Sequence, residues 1–117
     1  MACSKQYERI SGDWTRYFNR LNRRTTKRPN LTTADLLAVL ERQQGLCALS
    51  GIKLTCQLKQ GVKFKTNASI DRIRAGEEYS VDNVQLVCSA LNSWRGDTDL
   101  DEFIWFCQKV TEHQGRQ

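Results

Sequence analysis

Three side chains near the middle of the chain are of types that could hold a hard cation together: Asp71, Asn83 and Asn92. Asp71 lies between Ile70 and Ile73 in a short alternating segment, so its carboxylate rides on what reads as a strand. Asn83 closes the turn-rich stretch that follows, and Asn92 falls in a short helical segment beyond a second apolar run. In a strand–loop–strand–helix arrangement, the end of the first strand and the start of that helix can converge. A cation such as Mg²⁺ takes a few oxygen ligands and keeps several waters. One carboxylate and one amide oxygen, completed by a phosphate oxygen, meet that need. Such an ion would polarise the phosphate and offset charge on the leaving oxygen. Taken alone, Asp71 beside Arg72 also reads as a surface ion pair of the common, weak kind.

The positioning elements follow from periodicity and punctuation. Trp14, Tyr17, Phe18 and Leu21 recur at helical spacing, which predicts an amphipathic helix over 13–24 with Asp13 near its N-cap. Its aromatic residues should dock and its arginines face outward. A polar, basic turn or linker around Pro29 comes next. Thr32 with Asp35 resembles a capping box for a second helix carrying Leu36, Leu37, Val39 and Leu40, with Gly45 as its C′ residue. Ile52 to Leu58 reads as a short strand, Ala68 to Ile73 as a second and Val84 to Cys88 as a third. Ser89 to Arg95 should be a short helix stopped at Gly96. Thr98 with Asp101 opens a final helix whose apolar face is Phe103, Ile104, Phe106, Cys107 and Val110. The class expected is α+β, a core hairpin flanked by N- and C-terminal helices, with a basic helix or arm at 1–30 and a main domain at 31–117.

Charge is the second functional signal. Residues 1–30 hold eight basic side chains against two acidic ones, and residues 31–117 hold ten against eleven, so the net +5 lies wholly in the N-terminal part. That asymmetry points to a polyanion, phosphate backbone being the commonest. A solvated arm that aids solubility is the alternative. Arg16, Arg20, Arg23, Arg24, Lys27 and Arg28 would make the contacts. Lys59, Lys63 and Lys65 form either a phosphate rail or an ordinary solvated hairpin tip. No run approaches the ~20 apolar residues of a membrane span, and no apolar leader opens the chain, so a cytoplasmic location is expected. Five cysteines without tight spacing do not suggest a disulfide framework. Cys47, Cys88 and Cys107 read as core thiols, Trp14 and Trp105 as core aromatics, and Trp94, next to Arg95, as a candidate for stacking on bases.

The runs Cys47-Ala-Leu-Ser-Gly51, Asn67-Ala-Ser-Ile-Asp-Arg-Ile73, Tyr79-Ser-Val-Asp-Asn-Val-Gln-Leu-Val-Cys88 and Leu91-Asn-Ser-Trp-Arg-Gly-Asp97 resemble the HNH (ββα-metal) endonucleases, most nearly the short homing-type versions found in phage genomes. The resemblance spans roughly 45–110. It implies a ββα-metal core and a hydrolase acting on double-stranded DNA with Mg²⁺ or Mn²⁺, without a small-molecule cofactor, in a host cell's cytoplasm if phage-encoded. By position it implies that Asp71 and Asn92 hold the metal, that Asn83 braces the loop between the strands, that Arg95 meets DNA phosphate and that Tyr79 mainly packs.

Two departures stand out. The family's general base is a His after the metal Asp, and here that residue is Arg72, which stays protonated and accepts no proton. Arg72 can stabilise phosphoryl charge; a metal-bound hydroxide, the substrate phosphate or Tyr79 would have to activate water, the lone His113 being in the tail. Many members also carry two Cys-x-x-Cys pairs, whereas Cys47 is followed by Ser50 and Cys88 by Leu91. Two thiols do not make a four-ligand zinc site, so structural zinc is not expected. The expected function is a divalent-metal-dependent DNA endonuclease, the alternative a catalytically inactive DNA-binding or interaction module of the same fold.

Overall fold

A computed structural model of the chain describes residues 4–59, 61–62, 64–74 and 76–115, with side chains of the first helix described from Gly12 onward. Its elements are α1 (Ser4–Arg23), α2 (Thr33–Arg42), β1 (Ala68–Arg72), β2 (Val84–Cys88), α3 (Ser89–Arg95) and α4 (Leu100–His113). The class is α+β: four helices and one two-stranded antiparallel sheet among the described residues.

Helix α1 begins well before Asp13, which is therefore interior and not a cap. Tyr7 and Ile10 continue the helical spacing of Trp14, Tyr17 and Phe18. The roughly 1 kcal/mol cost of Gly12 relative to alanine is too small to break a helix with that pattern. Trp14, Tyr17 and Phe18 are buried in one core with Leu36, Val39, Ile70 and Leu86, and the Tyr17 hydroxyl donates to the Ala68 carbonyl at 2.7 Å. The basic helix is thus built into the domain core and is not strung from it.

Helix α2 starts as its sequence predicts. Thr32 accepts from the Asp35 N–H and the Asp35 carboxylate accepts from the Thr32 N–H, a complete capping box. Its end differs by one residue. Gln44, at φ 57°, takes the left-handed C′ position expected for Gly45, and Gly45 N–H bonds the Leu40 carbonyl at 3.0 Å. The Gln43 side chain then works as a strand edge. Its Oε1 accepts from Leu86 N–H and its Nε2 donates to the Leu86 and Leu46 carbonyls, fastening α2 to β2.

The strand expected at Ile52–Leu58 is absent. Only isolated bridges form there, Lys53 with Leu46 and Thr55 with Asn67. Leu54 alone of that segment is buried in the core; Ile52 and Leu58, at its two ends, are exposed. The Asn67 side chain instead satisfies it locally: its Oδ1 accepts from the Thr55 hydroxyl and Gln57 N–H, and its Nδ2 donates to the Gln57 carbonyl. Strands β1 and β2 pair in register with Ala68 opposite Cys88, Ile70 opposite Leu86 and Asp71 opposite Gln85. The pleat puts Ile70 on the α1–α2 side and Ser69 and Asp71 on the other, where α3 folds back on the hairpin.

Gly96, at φ 55°, ends α3. Asp99, not Thr98, caps α4 by accepting from the Asp101 N–H. Helix α4 buries none of its residues. Trp105 is 52% exposed, and Ile104, Phe106, Val110 and Cys107 are exposed as well. The core positions expected for Trp105 and Cys107 are therefore corrected. Helical spacing makes α4 amphipathic, but the short turn at 96–99 directs it away from the other elements. No described helix is long and apolar enough to cross a membrane.

Candidate functional site

Asp71 and Asn92 are brought together. They line one cavity of about 220 Å³ with Arg72, Tyr79, Arg95 and Asp97. Asp71 sits at the end of β1, and its side chain is only 7% exposed. Its Oδ2 accepts from Arg95 Nη1 at 2.5 Å and from the cross-strand Gln85 Nε2 at 3.0 Å. The partner of Asp71 is thus the buried Arg95, not the neighbouring Arg72. Asn92 sits in mid-α3. Its Nδ2 donates to the Ser69 hydroxyl at 2.6 Å and reaches toward the Ile70 carbonyl at 3.5 Å. The Ile70 carbonyl, which can only accept, sets the amide orientation and leaves Oδ1 turned away from it. Neither Asp71 Oδ1 nor Asn92 Oδ1 accepts a hydrogen bond from the described residues. These are two oxygens of the kind a hard cation takes. Among the described residues, no three His, Cys, Asp or Glu side chains form a metal-holding group; the pair here is one carboxylate and one amide.

Arg95 does not present a free head to a ligand. It is 4% exposed, with Nε donating to the Thr98 carbonyl and Nη1 to Asp71 and the Arg72 carbonyl. The phosphate contact expected of it has no exposed guanidinium to make it. The guanidinium instead balances the Asp71 charge from behind. Asp97 lines the cavity too and was given no role from sequence. Its signal was the Gly96 beside it: a left-handed residue after a short helix turns the chain sharply and carries the next side chain back toward the helix end.

Asn83 is 2% exposed and is a loop brace in geometry. Its Oδ1 accepts from Arg74 N–H at 2.9 Å, and its Nδ2 donates to the Arg74 and Glu78 carbonyls at 3.2 and 3.0 Å. It does not line the cavity. The loop it closes carries Tyr79, whose ring lies 5.0 Å from the Arg72 guanidinium carbon and 5.5 Å from that of Arg28. Arg72 also donates to the Glu77 carbonyl.

A basic groove adjoins the cavity. Ser93 also lines a groove of about 500 Å³ that takes in Arg20, Arg24, Lys59, Lys65 and Trp94. Arg72 and Tyr79 are also shared with a depression of mixed charge, bordered by Lys27, Glu77 and Glu78. Arg16 and Arg23 are exposed on α1 without lining either hollow. Lys63 lies outside the described residues.

Cys47 and Cys88 are buried neighbours, with Cys88 N–H directed at Cys47 Sγ at 3.3 Å. Burial raises the Cys47 thiol, but the Ser50 hydroxyl and the N–H groups of Cys88, Ser50 and Leu49 outweigh it, so the net shift is downward. Burial, with Cys47 alongside, pushes Cys88 up.

Compared with known proteins, the chain matches no family model, no curated relative and no solved structure.

Proposed function

We propose that this chain is a divalent-metal-dependent DNA endonuclease of the HNH type, hydrolysing a phosphodiester of double-stranded DNA. One observation carries the reading: an acid from a strand end and an amide from the following helix line one cavity, each with an oxygen left over, beside a groove lined by Arg20, Arg24, Lys59 and Lys65. Asp71 Oδ1 and Asn92 Oδ1 would hold Mg²⁺ or Mn²⁺. The bound ion would supply a Lewis acid for the scissile phosphate. Arg95 and Gln85 fix the Asp71 carboxylate from its Oδ2 side, and Ser69 fixes Asn92. Arg72, at the cavity wall, stabilises negative charge developing on the phosphoryl oxygens. Asn83 holds the loop that carries Tyr79. Exposed arginines of α1 add salt-sensitive affinity without reading sequence.

A second reading, a DNA-binding module without chemistry, is favoured by the Asp71–Arg95 pair. A guanidinium already neutralises the acid, and Arg72 cannot serve as a base.

Plasmid nicking with Mg²⁺ or Mn²⁺ separates the two. The control is Asp71→Asn, which keeps the side chain's shape and an acceptor for Arg95; because it removes the counter-charge of Arg95, its fold is checked by circular dichroism and urea unfolding beside Asn92→Leu. Metal-dependent nicking by the native chain, abolished in Asp71→Asn and Asn92→Leu, is the expected result. Equal cutting by native and variant proteins ends the endonuclease assignment, and tight DNA binding with no cutting under either ion establishes the second reading.

A further inference from the structure

We infer that the groove between α1, the described residues of 57–67 and α3 takes an unpaired stretch of DNA strand next to the cavity. Its charge is of one sign: Arg20, Arg24, Lys59 and Lys65 line it, and none of its lining residues is acidic. Its walls are nonetheless partly apolar. Leu58 and Val62 are 39% and 44% exposed, and Trp94, at 68%, is the most exposed large apolar side chain described. No described ring or cation stacks on Trp94.

Those two properties together select the ligand. A duplex shows phosphates and groove edges, while its base faces are stacked on one another. It would satisfy the four cations and leave Trp94, Leu58 and Val62 in water. An unpaired strand offers phosphates and free base faces at once, which is the combination that basic grooves with aromatic platforms bind. Because Ser93 lines both hollows, a strand in the groove leads toward Asp71. The strand's proximity to a cut rests on the endonuclease reading; the binding itself does not.

The test is fluorescence anisotropy with a labelled oligothymidylate and a blunt hairpin duplex of equal length. The single strand is expected to bind more tightly. Trp94→Ala should weaken it about ten- to a hundredfold and leave duplex affinity within about twofold. Trp105→Ala, on α4 and outside the groove, should change neither. Arg20→Gln with Arg24→Gln should flatten the salt dependence of single-strand binding by roughly 1.4 in log–log slope. Trp94→Ala without effect on the single strand, or with an equal effect on the duplex, overturns the proposal. Asp71→Asn keeps both readings apart. A chain that binds the strand through Trp94 but nicks nothing loses only the endonuclease assignment. One that nicks plasmid yet prefers duplex loses only the groove.

Discussion

The Arg95 guanidinium meets the Asp71 carboxylate at 2.5 Å with both side chains almost wholly out of solvent, 3% and 7% exposed. Each makes the other's burial tolerable. Removing one partner leaves an uncompensated buried charge, which typically costs about 3–5 kcal/mol. Arg95→Met and Asp71→Ala should therefore each lower the urea-unfolding free energy by roughly that amount. The double variant Asp71→Leu with Arg95→Met should recover most of the loss, since a well-packed apolar replacement of a buried pair is often near neutral. Losses that simply add in the double variant would show that the pair is not a unit.

Asn83 poses a sharper chemical question, because aspartate has nearly its shape. Its amide nitrogen donates to two loop carbonyls and its oxygen accepts one N–H. Asn83→Asp keeps the acceptor, loses both donors and sets a carboxylate against the carbonyls of Arg74 and Glu78. The variant should be less stable than native by about 2–4 kcal/mol, and no more stable than Asn83→Ala. Hydrogen exchange at the Arg74 amide, measured by NMR, should stay slow in Asn83→Asp only while the loop remains closed. An Asn83→Asp protein as stable as native would mean that Asn83 does not brace the loop.

Helix α4 predicts indifference. None of its side chains is buried, so Trp105→Ser and Phe106→Ser should each change stability by less than about 0.5 kcal/mol. Phe18→Ala empties a fully buried position and should cost about 3–5 kcal/mol. Thermal or urea unfolding reads all three. A large loss in Trp105→Ser would mean that α4 packs against the domain after all.

The contrast between α4 and the hairpin explains what could be read in advance. Strands β1 and β2 and helix α3 were legible because a strand's apolar pattern and a stopping glycine are local signals. The Thr32–Asp35 capping box was legible for the same reason, its two halves lying three residues apart. The order strand, loop, strand, helix allows the end of β1 and α3 to converge; that Asn92 rather than Asn83 shares the cavity with Asp71 was implied by the HNH resemblance. What covers a face is not local. Periodicity made α4 amphipathic and could not say that nothing lies against it. Nor could it say that Arg95 turns inward, because an arginine after a tryptophan looks solvent-facing until the helix is docked on β1. The Ile52–Leu58 segment alternates as a strand would, but its backbone bonds go to several places, to Gly45, Cys47, Thr66 and Ala68 and, at Gln57, to the Asn67 side chain, so no continuous ladder forms.

Tyr17 gives the fold a measurable alkaline limit. Burial, with Cys56 adding to it and Arg24 opposing, pushes its phenol from 10.0 up to about 12, while its hydroxyl donates to the Ala68 carbonyl inside the core. The neutral phenol is the form the fold holds. With a folded value above the unfolded one, the stabilisation is complete below pH 10 and is lost as pH climbs through 12. The whole effect is on the order of 2 kcal/mol. Unfolding free energies measured from pH 8 to pH 12 should therefore fall in the native chain beyond pH 10. Tyr17→Phe should start lower, because the Ala68 carbonyl loses its donor, and should lack this part of the decline. Every other group is common to both proteins and cancels in the difference. The difference between the two curves should narrow as the phenol of Tyr17 ionises. Parallel curves across that window would mean that Tyr17 is not held neutral by the core, and that the hydrogen bond from α1 to β1 contributes less to docking the basic helix than its burial implies.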